Sequence, residues 1–93
     1  MPTPKDPKFS FQYGDVVHAI YHVNTGEGIP KHEHAFSHVV FCANGSLLIR
    51  KEGIERVITA DSKPISLKAN EWHELEAIED GTVFINMVSA GKY

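Results

Sequence analysis

From Phe9 onward the chain is a succession of short apolar runs divided by turn residues. "VVHAIYHV", Val16 to Val23, is dense in β-branched and aromatic residues, the side chains that fit a pleated, half-buried surface. "FSHVVFCA" is a second such run. It stops at Asn44-Gly45, the strongest two-residue hairpin signal. "SLLIRK" and "IERVIT" flank Glu52-Gly53 and predict a hairpin, and "TVFINMVS" follows the turn signal Asp80-Gly81. "NEWHELEAIED" is the stretch closest to a helix, since Asn70 could cap it and Glu and Leu favour helix. Its place between two strand runs and its end at Asp80-Gly81 predict a strand instead. Short strands at near-regular spacing predict an all-β sandwich or small barrel.

Side chains alternate faces along a strand, so residues two or four apart share one. Phe36, Val40, Leu75, Phe84 and Met87 are candidates for the core or a pocket, although Phe84 and Met87 cannot share a face of one regular strand. Cys42 has the parity of Val40 and is expected to be a small buried apolar residue. Trp72 and Glu74 oppose His73 in parity and should face outward. His18 and His22 share a face with Ile20 and read as half-buried or rim histidines.

The first eight residues hold three prolines, two lysines and one aspartate, an extended arm that orders only where it docks. Residues 9–93 then form one domain, short enough to need help from a partner subunit or a bound metal. The net charge of −3 without any Lys/Arg cluster argues against nucleic acid and anionic membranes as partners. One cysteine excludes an intrachain disulfide. The N-terminus lacks the apolar segment of a signal peptide, and no apolar run approaches membrane-spanning length. The expectation is a soluble, cytoplasmic protein.

The chemistry lies in "GEGIPKHEHAFSH", residues 26 to 38, which holds three of the six histidines. If this stretch is extended, His32, His34 and His38 look the same way; a turn after His34 could still aim all three at one point. Buried neutral imidazoles each need hydrogen-bond partners, and buried charged ones repel. A divalent cation resolves both problems, because each ring offers it one nitrogen lone pair.

The spacing resembles the first motif of the cupins, G-x5-H-x-H-x3,4-E-x6-G. Gly26, His32, His34 and Gly45 match it, and His38 stands at the glutamate position. Of the second motif, G-x5-P-x-G-x2-H-x3-N, only His73 matches; Ser62, Lys68, Asn70 and Ala77 occupy the other positions. Asn70 is the mildest departure, because Asn tolerates the left-handed turn conformation that the glycine serves. The resemblance runs from about Val16 to Ser89. It implies a small antiparallel jelly-roll barrel holding one divalent transition metal (Fe, Mn, Ni, Cu or Zn) on His32, His34, His38 and His73. It also implies a homodimer paired through a sheet.

Four neutral ligands leave the ion its full charge, a stronger Lewis acid toward a small anionic ligand. A tetrahedral zinc with four histidines is closed and structural. An octahedral ion keeps two positions for a bidentate substrate, or for a substrate and dioxygen. The expected function is a mononuclear oxygenase of the dioxygenase type acting on a small organic substrate. The alternatives are a non-redox isomerase or lyase, and a binding protein without turnover. Most acidic residues fall in turns or at outward parities, so no carboxylate general base stands out.

Overall fold

The computed structural model describes residues 2–90; Met1 and the last three positions of the expected 9–93 domain lie outside the described residues. The strands are β1 (Thr3–Pro4), β2 (Phe9–Tyr13), β3 (Val16–Val23), β4 (Glu27–His32), β5 (His38–Asn44), β6 (Ser46–Lys51), β7 (Ile54–Thr59), β8 (Ile65–Leu67), β9 (His73–Ala77) and β10 (Thr82–Ser89). They form two five-stranded sheets, ordered β1-β4-β9-β6-β7 and β2-β3-β10-β5-β8. Every pairing is antiparallel except β1 with β4. Among the described residues no helix is long and apolar enough to cross a membrane. The all-β expectation holds, and "NEWHELEAIED" supplies strand β9 rather than a helix.

The core lies between the inner faces. Leu47, Ile49 and Leu75 from the first sheet meet Val40, Cys42 and Phe84 from the second, all at 3% exposure or less. Tyr21 stacks on Phe84 with ring centroids 4.6 Å apart. Burial of Val40, Leu75 and Phe84 agrees with their parities, and Met87 takes the outer face that parity assigns it. Cys42 is a buried core thiol that donates to the Asn44 carbonyl at 3.2 Å. Trp72 faces out, under the Lys31 ammonium at 4.5 Å, and Glu74 bonds Arg50 at 2.7 Å.

Glu52-Gly53 closes the predicted hairpin, with Lys51 opposite Ile54. Asn44-Gly45 does not close one. β5 lies in the second sheet and β6 in the first, so this dipeptide is a corner between sheets. Gly45 has φ 79°, and a Cβ there would run into Thr82. The Thr82 hydroxyl donates to the Glu79 carbonyl at 2.8 Å and accepts from the Ser46 N–H at 3.3 Å, which fixes the corner. Local turn chemistry specified the φ, and the tertiary pairing of β6 with β9 decided which strand followed.

The second sheet carries apolar rows on its outer face. Phe9, Ile20, Ile85 and Phe41 lie in register across four strands, as do Phe11, His18, Met87 and Val39. His18 stacks against Phe11 here, with centroids 4.8 Å apart, and belongs to this face with Ile20.

The arm bridges the sheets. Thr3 N–H donates to Gly26 and Lys5 N–H to Gly28 at the β4 edge, while Lys8 N–H donates to Ile20 in β3, at 2.8, 3.1 and 2.8 Å. Gly28 sits so close to β9 that a Cβ would collide with the Leu75 carbonyl. Gly28→Ala must therefore push β4 off β9. The expected loss of stability is ~1–3 kcal/mol, the usual cost of overpacking, read as a lowered midpoint in chemical denaturation.

Candidate metal centre

His32 closes β4 and His73 opens β9, and the two are register partners beyond a bulge between Ile29 and His32. His38 opens β5 on its inner face. His34 lies between strands, on a connection held by two bonds from the opposite turn. Asn70 N–H donates to the His34 carbonyl at 2.8 Å, and Ala69 N–H donates to the Ser37 hydroxyl at 3.1 Å. Asn70 has φ 61°, the left-handed conformation expected where the second motif has glycine. The segment from His32 to His38 is thus not one extended strand, and the turn after His34 does the aiming.

All four rings meet. His73, fully buried, is in ring contact with the other three, at centroid distances of 4.4 Å to His32, 5.0 Å to His34 and 5.3 Å to His38. His34 and His38 are 4.8 Å apart. Three rings have their tautomer fixed by the backbone. His32 Nδ1 bonds the Pro30 carbonyl at 2.8 Å, His34 Nδ1 the Phe36 carbonyl at 2.8 Å, and His73 Nδ1 the Glu71 carbonyl at 3.0 Å. A carbonyl only accepts, so each Nδ1 carries a proton, which in the neutral ring leaves the lone pair on Nε2.

Those lone pairs point at one another. Nε2 of His32 and Nε2 of His73 are 3.1 Å apart, and the ligand atoms of His32, His34 and His73 all lie within 4.8 Å. The 4.8 Å group does not include His38, whose own Nε2 is buried with no partner. Burial first, then the neighbouring imidazoles, pushes the His38 pKa down to about 4. His73 is pushed to about 4 by burial and by His32, against the opposing pull of its bond to the Glu71 carbonyl. In the neutral rings these converging Nε2 atoms fit a divalent cation, with the carbonyls on Nδ1 as the outer support such ligands need.

A cavity of about 270 Å3 opens beside the rings. His32, His34 and His38 line it, together with the apolar Ile29, Phe36 and Val88 and with Pro4 to Pro7 of the arm. Phe36 stacks on His34 with centroids 4.2 Å apart. His18 and His22 take no part, being on the outer face, in agreement with their reading as rim residues. Two contributors were not singled out from sequence. Asn86 lines the cavity, and its parity with Phe84 and Val88 was a usable signal. The arm carried no such signal, because its place depends on backbone bonds to two distant strands.

No family model matches the sequence, and no curated protein does. The fold, however, is that of small cupins. A cupin-2 domain protein from Shewanella frigidimarina superposes with TM-score 0.72 at 15% identity, over 91% of this chain and 83% of that one. A cupin protein from Bacteroides fragilis gives TM-score 0.71 at 18% identity, over 100% and 85%. KdgF from Halomonas sp. gives 0.74 at 17%, over 82% and 70%.

The low pKa values of His38 and His73 have a definite sign. As pH falls below the ordinary 6.5, the unfolded chain takes up protons that the native rings refuse until about 4. The stability owed to their neutral forms is complete above 6.5 and declines between those limits. Metal-stripped protein should show a melting temperature that falls steadily from pH 7 to 5, above the main carboxylate range. His38→Gln should flatten part of that slope; a flat wild-type profile would contradict the assignment.

Proposed function

We propose that this chain, a cupin by fold, is a mononuclear metal-binding protein that acts on a small organic molecule, with dioxygenase chemistry as its activity. The metal is held by His32, His34 and His73, with His38 as the fourth ligand. The observation that carries the reading is the set of Nε2 lone pairs held toward one point by Nδ1 bonds to the backbone. His38 belongs to the set because its buried, neutral Nε2 has no other partner.

An open centre is favoured over a closed one. The cavity against the rings supplies room for an exchangeable ligand. When bound, a redox-active ion there supplies Lewis acidity and electron transfer to dioxygen. The chain's residues supply the rest. The backbone carbonyls hold each imidazole in one tautomer, the apolar walls of Ile29, Phe36 and Val88 exclude water, and the arm limits the length of what enters.

The test is metal analysis of protein produced with each of iron, manganese, nickel, copper and zinc in controlled supply, combined with oxygen uptake in the presence of small carboxylates. About one ion per chain and uptake with iron or manganese alone are expected. Uptake in no form, with turnover retained in the zinc form, would replace dioxygenase by non-redox chemistry. His38→Glu should keep the metal and weaken carboxylate binding by about tenfold, since it adds a negative charge beside the ion.

The same reading includes a homodimer through the outer face of the second sheet. Its support is the exposed aromatic row there: Phe9 is 53% and Phe11 48% exposed, beside the unpartnered buried Nδ1 of His18. Light scattering at micromolar concentration should give twice the 10.4 kDa chain mass, and Phe11→Lys should give the monomer.

A further inference from the structure

Asn86 holds an interior position where its neighbours give an amide nothing to bond. β10 presents Phe84, Asn86 and Val88 to the inner face; Phe84 and Val88 are 0% and 5% exposed, whereas Asn86 is half-buried where the cavity opens. Its register partners are Ala19 on β3 and Val40 on β5, both apolar. The Oδ1 atom is buried without a partner. The amide nitrogen is not sealed in this way, and it donates to nothing among the described residues. Oxygen inward and nitrogen outward is also the less costly orientation, since an orphaned buried N–H is rarer in proteins than an under-satisfied carbonyl. Asn86 thus gives the cavity an N–H donor and no acceptor.

The sheet fixes where that donor stands relative to the histidines. Asn86 is opposite Val40, and His38 lies two residues before Val40 on the same inner face of β5. Diagonal neighbours of this kind are ~7–8 Å apart, so only a few bonds of a bound molecule separate the donor from the histidine centre. Around them the lining includes the apolar Ile29, Phe36 and Val88, and Lys5 reaches to Glu27 instead, at 3.9 Å. A carboxylate placed at Asn86 would leave water for one neutral donor among apolar groups, which is unfavourable for a charge. A neutral carbonyl oxygen there needs one donor, and Asn86 supplies it.

We propose that Asn86 selects a short oxo-carboxylate, whose carboxylate sits at the histidine centre and whose carbonyl oxygen, several bonds away, accepts from Asn86 Nδ2. The carboxylate half rests on the metal reading above. The carbonyl half rests on Asn86 and its register alone. The volume of about 270 Å3 sits just below the ~300–1,000 Å3 of drug-sized sites, which keeps the ligand small.

The experiment is calorimetric titration of the full chain, loaded with nickel(II), with 4-oxopentanoate and with pentanoate. These share a carboxylate and a chain and differ in one carbonyl, which is too far along the chain to chelate readily with the carboxylate. Wild type should prefer 4-oxopentanoate by about fivefold, the scale of one neutral hydrogen bond. Asn86→Leu, close in size and free of a buried polar atom, should abolish or invert that preference while nickel content stays fixed and the melting temperature does not fall. Asn86→Ala should abolish it as well, and serves where leucine does not pack. Equal affinities in wild type, no binding of either ligand, or a preference that persists in either folded variant would overturn the proposal. Nickel content and pentanoate binding report on the metal reading separately. Should the chain take up no nickel, the same comparison on metal-free protein decides the carbonyl half: an Asn86-dependent preference supports it, and equal affinities overturn it.

Discussion

Two imidazole nitrogens facing each other at 3.1 Å set the terms for this end of the barrel. Neither ring can turn to relieve the contact without giving up its Nδ1 bond to a carbonyl two residues back in the chain. Water cannot readily relieve it at His73, which is fully buried. Protonation is opposed by burial and by the other rings, as the depressed pKa shows. The arrangement has the form of a site shaped around a cation, in which backbone geometry holds the ligands before the ion arrives.

The residues that bracket this site serve the backbone rather than the ion. Gly26, Gly45 and Asn70 all have positive φ, at 86°, 79° and 61°. Gly26 begins the segment leading to His32, and its N–H donates to the Ala77 carbonyl at the far end of β9. Gly45 turns the chain out of β5 after His38. Asn70 sets the entry to His73 and holds the His34 connection at the same time. A motif that fixes glycines at set distances from histidines therefore encodes three tight corners as much as a ligand set. Asn can stand in for glycine at one of them because its side chain tolerates the left-handed region.

This division explains what the sequence could and could not disclose. Strand positions, the inward parities of Val40, Leu75 and Phe84, and the outward parities of Trp72 and Glu74 follow from period-two alternation, a local property. So does the hairpin at Glu52-Gly53. The gathering of the four rings was legible only because the histidine spacing resembles a known motif, since His73 is brought to His32 by strand pairing across 41 positions. Asn44-Gly45 shows the opposite case. Its turn was legible, but whether the next strand pairs beside it or crosses to the other sheet was decided by Thr82 and β9, both distant in sequence. The arm was least legible, because its prolines specify extension and nothing more, while its destination depends on free carbonyls on two other strands.

Strand parity also governs the charge around the centre. β9 presents His73 inward and Glu74 and Glu76 outward, where Arg50 holds both carboxylates at 2.7 and 2.9 Å. These acids sit one or three residues from a metal-ligating candidate, yet the pleat keeps them on the far side of the sheet. With His38 at the position where cupins commonly place a glutamate, the inner side of the barrel offers the site only neutral donors. The acid that does act on the rings is Glu71, two residues before His73, whose charge opposes the lowering of the His73 pKa. Strand parity thus sets the polarity of the site, turning Glu74 and Glu76 out to Arg50 while His32, His34 and His38 line the cavity.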